Sequence, residues 1–96
     1  MFNRYEMAVP GRVVANDREF PCLVRDLSLG GARVAQGDPA LSGRHVILHL
    51  DDLWHEAGLR ARVVHADEQD LHLAFELDEA GEEALTFYLA AVAALR

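Results

Sequence analysis

The hydrophobic period of this chain changes once, and the position of that change limits the folds open to it. Before Asp78 the apolar residues fall in short runs that read as strands over Val9–Ala15, Glu19–Arg25, Gly31–Ala35, Arg44–Leu50, Leu59–Ala66 and Leu71–Leu77. Within Arg44–Leu50, for example, Val46, Leu48 and Leu50 share one face while His45, Ile47 and His49 share the other, the alternation of a half-buried strand. Turn-forming residues separate the runs: Asn16-Asp17, Gly37 to Gly43, and Asp67-Glu68-Gln69-Asp70. From Asp78 the period becomes helical, with Leu85, Tyr88, Leu89, Val92 and Leu95 on one stripe. Asp78 suits an N-cap, and Glu79, Glu82 and Glu83 suit the positive end of the helix dipole. Six close strands and one helix predict a mainly β fold: a six-stranded antiparallel barrel or sandwich with a C-terminal α-helix over one opening or flank. The helix's alanine-rich remainder gives that element a second reading, as a homodimer contact.

At 96 residues the chain suits one domain. The expected division is an N-terminal arm over 1–8, flexible until something orders it, a barrel over 9–77 and the helix over 78–96. No apolar run is long enough to span a membrane, and the first residues carry no apolar export core, so a cytoplasmic setting is expected. The net charge of −7 argues against general nucleic-acid binding, which needs a basic surface. All nine cationic residues are arginine, the better residue for forking onto phosphate or the guanine edge. Cys22 is the only cysteine, so no internal disulfide forms, and its apolar neighbours predict an inert thiol.

Asp26-Leu27-Ser28-Leu29-Gly30-Gly31 stands out between the second and third strands. A hairpin can reverse in two residues, yet here an acid, a hydroxyl and two adjacent glycines occupy six positions. Glycine permits close backbone approach, and Asp or Ser can bond backbone N–H groups or the polar edge of a ligand. Other candidates for chemistry are weaker. His45 and His49 would sit about 13 Å apart along a strand, too far for one metal. His65 and His72 flank the last turn as cross-strand neighbours without a third ligand, so no metal site is expected. Ser28 has no histidine at a motif spacing. Asp51-Asp52 and the Asp67–Asp70 stretch read as solvated loop acids, and Trp54 as a half-buried aromatic covering the barrel. No catalytic centre emerges, so an enzyme is not expected.

The order of these features resembles the PilZ domain, a bacterial receptor domain for the second messenger cyclic di-GMP. The D-x-S-x-x-G pattern is complete in Asp26, Ser28 and Gly31, with Gly30 as the frequent extra glycine and Ala32-Arg33-Val34 following in the family's manner. The family's second signature, R-x-x-x-R, precedes the first strand. Arg4-Tyr5 followed by Val9-Pro10-Gly11-Arg12 fits its second arginine, and the first would fall one residue before Met1. That leaves two expectations: a chain cut from a longer protein, or a natural start with weakened binding. The resemblance implies that Arg4 contacts guanine or phosphate, Asp26 a guanine edge, and Ser28, Gly30 and Gly31 the phosphates. It further implies a protein partner that receives the signal. The alternative is a degenerate PilZ domain that binds no nucleotide and serves as a protein–protein interaction module.

Overall fold

Six strands that each bury one face can satisfy their edges only by closing on one another, and in the computed structural model of this protein they do. The structure describes residues 3–95. Its strands are β1 (Tyr5–Ala15), β2 (Arg18–Leu27), β3 (Gly31–Ala35), β4 (His45–Leu50), β5 (Leu59–Ala66) and β6 (Leu71–Phe75), followed by helix α1 (Glu79–Ala94). Neighbours around the closed barrel run β1-β2-β3-β6-β5-β4, and every pair is antiparallel. Closure leaves no open edge for association with other chains.

The interior is filled by the alternate residues of each strand: Val13, Val24, Val34, Leu48, Leu59, Val63 and Leu71 are fully buried. Burying a side chain of this size contributes about 1.5–3 kcal/mol. The two openings are plugged differently. At one, the 3₁₀ turn Pro39–Leu41 inserts Leu41. At the other, Leu85 and Leu89 of α1 join the core, with Tyr5, Leu29, Leu53 and Leu77 packed against it. Asp78 caps the helix as expected, its side chain accepting from the Gly81 amide at 2.7 Å. That helix therefore stands beside both the N-terminal segment and the Ser28–Gly30 turn.

Three features differ from the sequence reading. Strand β1 begins at Tyr5, so Tyr5 to Ala8, assigned to the arm, are strand instead: Tyr5↔Leu27 and Glu6↔Asp26 pair with β2, and Met7 and Ala8 lie in a register shift. Met1 and Phe2 of the expected arm, and Arg96 at the end of the helix, lie outside the described residues. The helical stripe ends early: Leu95 is 89 % exposed because the helix has by then run past the barrel. Trp54 covers nothing, being 98 % exposed at the tip of the β4–β5 connection; its neighbour Leu53 takes the inward position. His65 and His72 do pair across β5 and β6, with ring centroids 5.5 Å apart.

Candidate nucleotide-binding site

A β-bulge creates the site. β2 and β3 pair regularly at Leu23↔Ala35 and Val24↔Val34, then the register shifts by one residue to Asp26↔Arg33 and Leu27↔Ala32. Arg25 is the additional residue. Such bulges re-aim side chains, and this one lets Val24 and Leu27 both face inward while Asp26 faces the outer wall. Asp26 is nevertheless only 7 % exposed. Arginines cover it: Arg4 donates from Nη1 to Oδ1, and Arg33 donates from Nε to Oδ2 at 3.1 Å. A buried carboxylate needs such hydrogen-bonding partners to offset its loss of water. Arg33 also reaches the β5–β6 turn, its Nη1 lying 3.6 Å from Asp70 Oδ2.

Ser28 is turned into its own turn. Its Oγ accepts from the Gly30 and Gly31 amides, each at 3.2 Å, and lies 3.3 Å from the Gly31 carbonyl, which it donates to. The Ser28 amide donates to that same carbonyl at 2.9 Å. Gly31 pairs with Ala74 of β6, and a Cβ there would overlap the Leu73 carbonyl oxygen and sit 3.2 Å from its carbon. This glycine is thus required by strand packing. Neither glycine of the pair uses the left-handed backbone region; among the described residues that region is occupied by Asn16, Gly43 and Gly58. Gly30 contributes its carbonyl to the Phe75 amide at 2.9 Å.

The structure therefore brings Arg4 and Asp26 into direct contact and sets Ser28, Gly30 and Gly31 beside them as the frame of the turn. Two shallow grooves adjoin this frame. One, of about 370 Å³, is lined by Leu29, Gly30, Phe75, Leu77 and Glu82. The other, of about 470 Å³, is lined by Arg25, Arg33, Ala35, Gln69 and Asp70. Arg33 was not among the site residues read from the sequence. Its only signal was its place just after the motif, since an unshifted register would have set it opposite Arg25. The Ser28 side chain bonds within its own turn, and elsewhere on β2 burial, with a smaller contribution from Asp51, pushes the Cys22 thiol up to about 11. Among the described residues no cluster of three or more His, Cys, Asp or Glu side chains is placed to hold a metal.

The PilZ domain family model matches residues 1–91, and the chain belongs to that family. PilZ domains are binding and adaptor domains, generally for cyclic di-GMP, rather than enzymes. Among solved structures, the crystal structure of the PilZ domain of CeSA from a cellulose-synthesizing bacterium is similar in fold. It has a TM-score of 0.78 and 22 % sequence identity, over 94 % of this chain and 97 % of that one. No curated protein matches this sequence significantly. No helix among the described residues is long and apolar enough to cross a membrane.

Proposed function

We propose that this domain binds cyclic di-GMP on the outer wall over β2 and β3, and passes its presence to a protein partner in the cytoplasm through a change in shape. The observation that carries this reading is the contact between Arg4 and Asp26. Residues 22 positions apart, one from each family signature, meet on one patch of wall. Cyclic di-GMP offers two phosphates and two guanines. Arginine forks onto phosphate oxygens or onto guanine O6 and N7, and a carboxylate accepts from guanine N1–H and N2–H. In the absence of ligand the two groups satisfy each other. When the nucleotide arrives, Arg4 turns to the ligand and Asp26 Oδ1 is released to a guanine, while Arg33 still anchors Oδ2. The Ser28–Gly31 turn keeps its frame and presents its outer rim to a phosphate.

The shape change has a physical origin. Arg4 directly precedes β1, whose pairing with β2 shifts register between Glu6 and Val9. A pull on Arg4 is therefore transmitted to the irregular part of that strand and to α1, which lies beside Asn3 and Tyr5. A partner reading either surface would sense occupancy.

Calorimetric titration tests the reading. Heat of binding is expected with the whole chain, and Asp26→Ala abolishes it. No heat at ligand concentrations of about 100 µM sinks it. The second reading, a degenerate module that works through protein contacts alone, is favoured by one observation: both carboxylate oxygens of Asp26 already hold arginines. It predicts no heat, and a partner whose binding is indifferent to Asp26→Ala.

A further inference from the structure

The strand registers set five ionisable residues in one row across the outer wall. Glu6 of β1 pairs with Asp26 of β2, Asp26 with Arg33 of β3, Arg33 with His72 of β6, and His72 with His65 of β5. The flanking Leu27, Val34, Leu71, Leu73 and Val63 fill the interior, so alternation turns the row outward. A second bulge helps: the β5–β6 register shifts between Val63 and His65, which restores His65 to the outer side. The two imidazoles meet edge to face, at 63° between ring planes.

The family signatures account for Asp26 alone in this row. Strands lie about 4.8 Å apart, so His65 stands roughly 14 Å from Asp26 across the wall. A cyclic dinucleotide held at one guanine by Asp26 has a second guanine and a second phosphate to place along that wall. Toward β3, β6 and β5 it meets the Arg33 guanidinium and two imidazoles, with the Asp70 and Asp67 carboxylates beside them. The guanidinium and the imidazoles offer hydrogen-bond donors to the far half.

We propose that the nucleotide surface extends from Asp26 across Arg33 to His72 and His65, and that protonation of these two histidines tightens binding of the dinucleotide's far half. This rests on the cyclic di-GMP reading above. The charged groups facing the pair are Arg33 from β3 and Asp67 and Asp70 from the β5–β6 turn, with Asp67 Oδ2 3.6 Å from His65 Nε2. An anionic ligand lying over the row adds counter-charge to both rings, which couples proton uptake to binding. An imidazolium donates to phosphate oxygens or to guanine O6 and N7, whereas the neutral ring offers one donor only.

The test is calorimetric titration of the whole chain with cyclic di-GMP at about pH 5.5 and about pH 8, values that bracket histidine's ordinary titration. Wild type is expected to bind about five- to tenfold more tightly at the lower pH, with net proton uptake seen in buffers of different ionisation enthalpy. The double variant His65→Gln, His72→Gln loses that dependence but still binds at pH 8. His45→Gln, on the outer face of β4 away from the row, keeps it. Binding by wild type that is equal at both pH values, or a dependence that survives the double variant, overturns the extension and leaves the nucleotide reading standing. Absence of binding at both pH values overturns the nucleotide reading, and the extension with it. Should the double variant fail to fold, imidazole NMR signals of the wild type decide. His65 and His72 signals that stay in place at saturation overturn the extension.

Discussion

Gly31→Ala separates two roles that a motif glycine can have. If Gly31 serves only close approach of a ligand, alanine weakens binding and leaves stability intact. The structure gives the other answer. A methyl at position 31 would overlap the Leu73 carbonyl oxygen, with the Leu73 carbonyl carbon at 3.2 Å and Ala74 Cα at 3.5 Å. These are backbone atoms of a paired strand, so no rotamer change relieves the contact. Either β3 moves away from β6 or the Gly31↔Ala74 end of the ladder opens, which also strains the Phe75 amide bond to the Gly30 carbonyl. Overpacking costs about 1–3 kcal/mol, and an unyielding backbone contact belongs at the upper end. At roughly 4–8 °C per kcal/mol for a domain of this size, the melting temperature falls by about 12–24 °C. Urea unfolding followed by circular dichroism measures it, with the midpoint falling at an unchanged m-value. Gly43→Ala is the control: its φ of +80° strains any L side chain, but no atom lies within 4 Å of the added methyl. It should cost only about 1 kcal/mol. A Gly31→Ala protein within about 0.5 kcal/mol of wild type would refute the packing argument and return the glycine to the ligand.

Three further outcomes follow from groups outside the motif. With its pKa raised to about 11 by burial and then by Asp51, the Cys22 thiol is almost wholly protonated at neutral pH. Native protein is expected to react with Ellman's reagent at pH 8 at least about 100-fold more slowly than urea-unfolded protein; equal rates contradict it. Burial, and then the Arg12 guanidinium, hold the His49 pKa below its ordinary value. Its unfolded form therefore takes up a proton first, so stability contributed by the neutral ring is present above the unfolded pKa and is lost as pH falls through the folded one. His49→Gln should flatten the fall in stability below about pH 6.5, measured by urea midpoints; an unchanged slope argues against it. Asp78→Ala removes the cap that accepts from the Gly81 amide at 2.7 Å and should cost about 1 kcal/mol. Differential scanning calorimetry would show this, and an unshifted transition would mean that α1 is held by Leu85 and Leu89 alone.

The barrel and its helix were legible because their signals are periodic. Alternation in Arg44–Leu50 and the stripe through Leu85 and Leu89 each reflect one buried face, and the structure buries those faces. What escaped the sequence were events set by tertiary contact. The strand character of Tyr5 to Ala8 depends on β2 being long enough to pair with Tyr5 and Glu6. Trp54 is exposed because the β4–β5 connection had two large apolar residues and room inside for one, which Leu53 took. Leu95 keeps the helical period but has no barrel left to face. The Asp26 and Arg4 pair was readable from family resemblance, whereas the part played by Arg33 was not. Its partnership follows from a one-residue shift that no pattern of apolar residues announces.

That shift has a consequence for the length of β2. Strict two-residue alternation cannot put Val24 and Leu27 on one side of a wall and Asp26 on the other, because the interval from Val24 to Leu27 is odd. Arg25 absorbs the parity error. Deleting it would regularise the β2–β3 ladder but leave Met7 and Ala8 of β1 with no β2 residue opposite, between Glu6↔Asp26 and Val9↔Val24. Adding a residue between Asp26 and Leu27 would not be absorbed: either Leu27 turns out to water or a carboxylate turns into the core, a choice costing several kcal/mol on either side. The two neighbouring strands thus hold β2 to its length from both sides, and the candidate site inherits that constraint.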